Sequence, residues 1–424
     1  LHIEELAGEE LARAIAALEA DYADLCGRGL ALDLTRGKPA PAQVALSNAL
    51  DGILAGDYRA ADGTDTRNYG GLDGLPEARA LFGEVLGVPA QETLVGGNAS
   101  LSLMYATLDC ALNEGLGGGA WGAGDAVKFL CPVPGYDRHF AICEYLGIEM
   151  VPVPMLDTGP DMDIVEALLR DDPAVRGIWC VPRFSNPGGC VYSDATVDRI
   201  AALGRLAAGD FAVMWDNAYA VHALYDDAPA LAAIREACLR HDTLDSVFQF
   251  GSTSKITFAG AGVGFMAASP DNLAAVKRHL ALQTIGPDKV NQLRHVRFLR
   301  DAGTIAAHMA AHADLVRPKF EAVLDILERE LADTGMGTWS RPRGGYFISF
   351  DTLPGLAGEV VALAADAGVK LTPAGATFPY GDDPHDRNIR LAPTFPSLDE
   401  VIATAEAFAT CVKLATLRRK AAQG

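Results

Sequence analysis

The sequence predicts an α/β protein: a large domain built on a mostly parallel seven-stranded sheet flanked by helices, joined to a smaller α+β domain. Three observations carry this expectation. From about residue 75 to 270, short apolar runs alternate with helix-like segments, the pattern of a parallel sheet with crossover helices. Those runs are continuously apolar, as strands covered on both faces are. Beyond them a long helical stretch is followed by strand-like segments of a second, smaller unit.

The elements follow in order. The first 50 residues read as a helix and then an arm, "LALDLTRGKPAPAQVAL", expected to join the smaller domain. Residues 51–305 form the expected large domain. Its strand candidates are "TLVGG" (93–97), "AVKFLCPV" (126–133), "IEMVPVP" (148–154), "GIWCVP" (177–182), "FAVMWD" (211–216), "SVFQFGS" (246–252) and "GVGFMAAS" (262–269). Residues 306–424 make the rest of the smaller domain. The helical stretch "TIAAHMAAHADLVRPKFEAVLDILEREL" (304–331) is expected to bend or break near Pro318. "GGYFISFD" and "NIRLAPTF" then supply strands that recruit the N-terminal arm.

Bulk composition excludes several classes. The 424 residues are 50% hydrophobic and 21% charged, ample apolar material for a large core. The net charge of −20 argues against a nucleic-acid surface, which needs clustered cations. The short basic run "LRRK" (417–420) reads as a solvated helix end. No apolar run reaches the ~18 residues of a membrane span, and the acidic, amphipathic start resembles neither a secretory signal nor a transit peptide. Eight cysteines in apolar contexts, without a C-x-x-C pair, read as reduced core thiols of a cytoplasmic protein.

Three stretches carry possible chemistry. In "LVGGNASLSLMYATLDCAL" (94–112), a strand ends in Gly96-Gly97 and a helix is expected to begin at Asn98. A helix start after a sheet strand offers free N–H groups to a phosphate; taken alone, Asn98 as a simple N-cap is the plainer reading. In "FAVMWDNAYAVHAL" (211–224), Asp216 stands at the carboxyl end of a buried strand, where open sheets bind ligands. A buried carboxylate needs a partner, for instance a protonated ring nitrogen, and Tyr219 points the same way if the chain turns helically. Taken alone, Asp216 as an N-cap and Tyr219 as a core residue is simpler. In "QFGSTSKITFAGAGVGF" (249–265), a lone Lys255 sits at a strand mouth. Most lysines are merely exposed, but a desolvated one has a depressed pKa and a usable amine. Ser252 and Ser254 offer hydroxyls to a phosphate. Phosphate cradle, carboxylate and amine on successive strand ends are the parts that pyridoxal 5′-phosphate requires.

Other patterns carry less. "GGGAWG" (117–122) fits G-x-G-x-x-G but lies after a helix and before a strand, the reverse of the dinucleotide setting; it reads as a loop. His308 and His312 have metal-binding spacing, yet "HMAAH" lacks the glutamate of zinc hydrolases and a third ligand, so a surface pair is expected and no metal site. No nucleophile elbow is present.

With these motifs in order over nearly the whole chain, the sequence resembles the fold-type I pyridoxal-phosphate aminotransferases, and among them the divergent bacterial aspartate aminotransferase subgroup, through "LTRGKP" and "GSTSKITFAGAG". The resemblance implies the following roles. Lys255 resembles the Schiff-base lysine and Asp216 the partner of the pyridine nitrogen. Tyr219 and Asn186, from "SNPGG", resemble the pair that binds the 3′-oxygen. Asn98, Ala99 and Ser100, with Ser252 and Ser254, lie where the phosphate is held. Tyr136, in "PVPGYDRHF", resembles the aromatic stacked on the ring. Tyr69, in "RNYGG", resembles a tyrosine that reaches the neighbouring subunit's phosphate, which implies a homodimer with shared sites. Arg390, in "NIRLAPTF", resembles the clamp on the substrate α-carboxylate, and Gly37 lies where the arm covers it. One departure stands out. Many relatives carry a phosphate-binding arginine seven or eight residues after the lysine, where this chain has Gly262 and Val263.

The implied reaction moves an amino group between an amino acid and a 2-oxo acid, with Lys255 as the general base. The resemblance favours L-aspartate with 2-oxoglutarate. A dicarboxylic substrate needs a second cation, for which Arg36, Lys38, Arg67, Arg183 and Arg343 are candidates. The same scaffold also serves aromatic or alanine-like substrates, and in some transcription regulators a non-enzymatic sensor. Those regulators carry a basic DNA-binding domain ahead of it, where this chain shows an acidic helix and arm.

Overall fold

The computed structural model describes residues 2–35, 37–123 and 126–423. Its thirteen strands are β1 (Leu32–Asp33), β2 (Thr93–Val95), β3 (Lys128–Val133), β4 (Glu149–Leu156), β5 (Gly159–Pro160), β6 (Val175–Cys180), β7 (Ala212–Asp216), β8 (Val247–Ser252), β9 (Gly264–Ala267), β10 (Gly337–Trp339), β11 (Ile348–Thr352), β12 (Val369–Lys370) and β13 (Asn388–Leu391). The central sheet runs β2-β9-β8-β7-β6-β3-β4-β5. β8, β7, β6, β3 and β4 are mutually parallel, and β9 runs antiparallel between β8 and β2. All seven apolar runs are strands of this sheet. The eighth, β5, is a two-residue hairpin return on β4, too short to leave an apolar pattern.

Strand alternation sorts side chains onto two covered faces. Ala212 and Met214 of β7 join Leu94, Phe129, Trp179 and Phe250 in one core, under the helices Ser100–Asn113, Asp137–Tyr145 and Pro270–Leu280. Val213 and Trp215 join Leu130, Ile178 and Val247 in the other. Asp216 follows the parity of Met214 and so emerges on the side of the Asp137–Tyr145 helix. Because β2, β3, β6, β7 and β8 share one direction, the loops after them open on a single edge of the sheet, the usual ligand edge of parallel sheets.

A third core gathers Ile3 to Leu34 with residues of the long helices Ala302–Leu331 and Leu398–Gln423 and of the antiparallel sheet β10-β11-β13. The arm strand β1 pairs in parallel with β12 in a separate two-stranded sheet, not with the strands of "GGYFISFD" and "NIRLAPTF", which are β11 and β13.

Three expectations need correction. The Ala302–Leu331 helix runs unbroken through Pro318. Ile305 and Met309 on one side of the proline and Phe320, Val323 and Leu327 on the other are buried, and this anchorage outweighs the roughly 3 kcal/mol that an internal proline costs. The helix after β2 begins at Ser100, with Ala99 in the cap position, so Asn98 is not its N-cap. The Gly96 N–H donates to the Gly264 carbonyl and the Gly264 N–H to that of Gly97, at 2.9 and 2.7 Å, which keeps the chain extended for two more residues. The "LRRK" run is not simply solvated: Arg418 pairs with Glu19, Arg419 donates to the Pro354 carbonyl and Lys420 to that of Ile3, fastening the last helix to the N-terminal segment.

Candidate active site

At the carboxyl edge of the sheet lies a cavity of about 230 Å³ lined by Ala99, Ser100, Tyr136, Asn186, Asp216, Tyr219, Ser252, Ser254 and Lys255, with Leu101, Met104, Val181 and Ala218. Nine of the residues singled out from the sequence therefore share one wall, contributed by the ends of β2, β3, β6, β7 and β8.

Asp216 is buried, and its two carboxylate oxygens differ. Oδ2 lies 2.9 Å from His139 Nε2, and Oδ1 has no hydrogen-bond partner among the described residues. His139 stacks on Trp179 at 4.1 Å between ring centroids, and Trp179 stands in register with Met214 on the neighbouring strand. Tyr136 meets the His139 ring edge-on at 4.9 Å. Burial, reinforced by Asp216 and Asp137, pushes the Tyr136 phenol up to about 12, so it stays protonated.

The Lys255 Nζ stands 5.1 Å from the centre of the Tyr219 ring and 5.9 Å from that of Tyr346. Burial lowers the pKa of the amine, and the charge of Asp216 opposes the shift. The result is a lysine that gives up its proton more readily than a surface lysine, facing a carboxylate with a free oxygen. Tyr219 is raised by burial and remains a neutral donor.

The end of the cavity formed by Ser100, Ser252 and Ser254 is made of small groups. Ser252 donates to Ser254 at 3.1 Å, and Ser100 opens its helix with unpaired N–H groups. Gly262 and Gly264 pack closely on the helix start. A Cβ on Gly264 would lie 2.6 Å from the Ala99 backbone, and one on Gly262 would lie 3.2 Å from the Asn98 carbonyl and from Ser254 N. The loop presses on the helix start at Gly264, whereas a side chain at Gly262 requires the neighbouring backbone to give by a few tenths of an ångström.

Arg390 is buried above the ring of Phe347, 4.9 Å from its centre. Its Nη1 donates to Asp137 Oδ1 at 2.9 Å and to Asn186 Oδ1 at 3.3 Å, while its Nε is buried with no partner. Gly37 lies against the same Phe347: a Cβ there would come within 2.5 Å of the ring. The arm and the arginine thus both pack on one aromatic ring.

Four predicted residues do not line the cavity: Gly37 and Arg390, which meet at Phe347, and Asn98 and Tyr69. Asn98 is exposed. Tyr69 is 83% exposed in the single chain, although Lys289 donates to the carbonyls on both sides of it, Asn68 at 2.9 Å and Gly70 at 2.5 Å. Of the candidate second cations, Arg67 is paired with Asp65, Arg343 with Asp227, and Arg183 is turned to the carbonyls of Ala220 and Pro229. Lys38 is exposed, lies 3.9 Å over the Phe395 ring and makes no ion pair among the described residues. Arg36 lies outside the described residues.

His139, Asp137, Gln43, His222 and Tyr346 went unnoticed in the sequence. Only His139 carried a signal, standing one helical turn after Tyr136. The pair His308 and His312 is not a surface pair: His312 is buried, and both reach the Ile256 carbonyl beside Lys255.

Known structures place this architecture among the aminotransferases. An aspartate transaminase from Corynebacterium glutamicum superposes with a TM-score of 0.95 at 42% identity over 99% of each chain. The alpha-aminoadipate aminotransferase of Thermus thermophilus, complexed with N-(5'-phosphopyridoxyl)-L-leucine, shares the fold with a TM-score of 0.75 at 21% identity, covering 99% of this chain and 100% of that one. Residues 6–424 match the family described as aspartate amino-transferase, and the chain belongs to that family. It is an aminotransferase. An aspartate aminotransferase of C. glutamicum is 45% identical over 397 residues, 93% of this chain and 91% of that protein. A protein of Mycolicibacterium smegmatis is 50% identical over 403 residues, 93% of each chain.

Proposed function

We propose that the chain is a pyridoxal 5′-phosphate-dependent aminotransferase that converts L-aspartate and 2-oxoglutarate to oxaloacetate and L-glutamate. The observation that carries this reading is the Lys255 amine facing Asp216, whose Oδ1 is buried without a donor. A protonated ring nitrogen supplies the N–H that this oxygen lacks, and it relieves the cost of a half-satisfied buried carboxylate. The residues present fit the cofactor in other respects. Hydroxyls of Ser100, Ser252 and Ser254 and the N–H groups at the helix start suit a phosphate, Tyr136 offers a ring face, and Tyr219 and Asn186 offer donors for the 3′-oxygen.

When bound, the cofactor supplies an electron-withdrawing ring that acidifies the substrate Cα–H. The chain's own residues do the rest. Lys255 Nζ takes the proton from Cα, a task that its lowered pKa favours. Asp216 stands opposite, oriented by His139. Arg390 binds the α-carboxylate with the edge that Asp137 and Asn186 leave free, and the arm at Gly37 closes over it. Lys38 is the cation for a side-chain carboxylate. Two such chains form a homodimer in which Tyr69 of each reaches the site of the other. Residues 1–50 and 306–424 form the small domain and 51–305 the large one, a division supported by the shared core of the N-terminal segment and the last helices.

The test is the visible spectrum of the purified protein with amino acids added singly. A band near the violet edge that aspartate and glutamate bleach, with parallel-line kinetics for the pair of half-reactions, is expected. Bleaching by another amino acid and not by these two overturns the substrate assignment.

A further inference from the structure

Beneath Lys255 lies a buried network that the chemistry above does not use. The Lys255 carbonyl receives His222 Nε2 at 3.3 Å and the Tyr346 hydroxyl at 3.5 Å. The next carbonyl, that of Ile256, receives His308 Nε2 at 2.7 Å and His312 Nε2 at 2.9 Å. A carbonyl oxygen has two lone pairs, and on both residues both are engaged. Two successive peptide groups of the lysine turn are therefore each held from two sides by aromatic side chains of other segments.

The proton positions follow from Gln43, which is buried in the arm. Its Oε1 accepts from the Ala40 N–H at 3.0 Å. Its amide nitrogen then has two protons to give, and two acceptors lie within reach: His312 Nδ1 at 3.2 Å and the Tyr346 hydroxyl at 3.1 Å. His312 accepts at Nδ1 and so carries its own proton on Nε2, aimed at the Ile256 carbonyl. Tyr346 accepts from Gln43 and so gives its hydroxyl proton to the Lys255 carbonyl. One side-chain amide sets the direction of both lines; His308 Nε2 lies 3.2 Å from His312 Nε2 beside the same carbonyl, and His222 Nδ1 has no partner among the described residues. Gln43 stands six residues after Gly37, on the same arm that reaches Phe347 and Arg390.

We propose that Gln43, acting through His312 and Tyr346 and together with His222, is a positioning residue that locks the backbone of Lys255 to the substrate-covering arm. Arm docking and amine placement are then one event. With the arm seated, the amide completes the clamp on the lysine turn. With the amide removed, the turn loses two of its four donors or their orientation, and the amine drifts from its place over Tyr219. The inference rests on the reading of Lys255 as the functional amine, but its first readout does not.

The experiment compares Gln43→Met, which keeps the volume and removes the amide, with Tyr346→Phe, which keeps the ring and removes one donor, and with the double variant. In cofactor-free protein, the modification rate of Lys255 by an amine-reactive acylating reagent is followed by peptide mass spectrometry. Each single variant is expected to change that rate at least threefold, and the double variant no more than the stronger single, because Tyr346 is one of the two lines through which Gln43 acts. In the loaded enzyme kcat is expected to fall about 10- to 100-fold, as small misplacements do, with KM for the amino acid moving less than threefold. His312→Asn, whose side-chain amide can still donate, is expected to fall less than His312→Leu. An unchanged labelling rate in both single variants overturns the proposal, whatever the activity. So do additive effects in the double variant, or losses that follow the melting temperature equally in His312→Asn and His312→Leu. Altered labelling combined with the absence of any transaminase activity in the parent protein leaves the clamp standing and removes the function proposed above.

Discussion

His139 holds one carboxylate oxygen of Asp216 at 2.9 Å and leaves the other buried and unpaired. An unpaired buried acceptor costs on the order of 1–3 kcal/mol, more when it is charged, and a donor bound in the cavity recovers that cost. Charge at this point is what matters. Asp216→Asn, which keeps the shape and removes the charge, is expected to lower kcat by about 10²- to 10³-fold, the range of one preorganised electrostatic contact. Asp216→Glu should be milder than Asp216→Ala. His139→Asn should cost less than any loss of the Asp216 charge, because it only orients that carboxylate. Steady-state kinetics at saturating cofactor separate these variants, and a kcat for Asp216→Asn within threefold of the parent contradicts the role.

Burial and the same carboxylate together set the titration of Lys255. Burial lowers the amine's pKa and Asp216 raises it. Removing the carboxylate therefore lowers the pKa further. In cofactor-free protein, the pH midpoint for acylation of Lys255 should lie below that of exposed lysines and should move down again in Asp216→Asn. An upward movement would mean that the two groups do not feel each other.

Acid sensitivity follows from the neutral histidines. Burial, aided by the Lys255 charge, pushes His222 down to about 3, and burial with His308 pushes His312 down to about 4. In the unfolded chain both titrate near the ordinary value of about 6.5. Their folded pKa values are depressed, so below that point the unfolded state binds more protons. Stability is complete above about pH 6.5 and declines as pH falls towards the folded values, by up to about 1.4 kcal/mol per pH unit for each histidine. Urea unfolding between pH 7 and 5 should show this slope, reduced by about one histidine's share in His222→Gln. A slope identical in the variant and the parent refutes it.

Much of this was legible in the sequence, for local reasons. Seven strands announced themselves because both faces of the sheet are covered and the runs are continuously apolar. Asp216 and Lys255 stood out because each ends such a run with a group that dislikes burial. The return strand Gly159–Pro160 was not legible, since two residues carry no period. Nor was the helix start: Asn98 is the better cap by residue type, but backbone pairing of Gly96 and Gly97 with Gly264 overrides the preference. The network around Gln43, His312 and Tyr346 joins segments some 300 residues apart, and spacing along the chain holds no record of such contacts. For the same reason His308 and His312 looked like a surface pair.

The proposed role of Lys38 as the cation for a substrate side-chain carboxylate is testable. Lys38 stands next to Gly37, which touches the ring that carries Arg390, and it makes no ion pair among the described residues. Lys38→Ala should raise KM for aspartate about tenfold or more, the worth of one charge-assisted hydrogen bond, and leave KM for alanine within twofold. Arg390→Lys should raise KM for both, because a single ammonium does not reproduce the guanidinium fork. Equal effects of Lys38→Ala on both amino acids would assign it to the arm's structure instead.

Tyr69 and Lys289 bear on assembly. A tyrosine 83% exposed is unusual where its own backbone is fixed on both sides by a buried ammonium; the loop is held rigid while its aromatic tip points away. Leu282 and Ile285, 80% and 67% exposed, lie on the neighbouring loop, where Gly286 packs against Gly70. Apolar groups clustered around a rigid tip suit burial against a second copy. If each Tyr69 completes the other chain's site, Lys255→Ala and Tyr69→Ala are separately impaired but complementary. Mixed after reversible dissociation, they form hybrids in which one site has both residues intact, and random pairing restores about a quarter of all sites. Lys289→Met, which frees the loop without touching the tip, should weaken cofactor retention in the same direction as Tyr69→Ala. If activity after mixing never exceeds the sum of the two variants, while hybrid dimers are demonstrably present, each site is complete within its own chain.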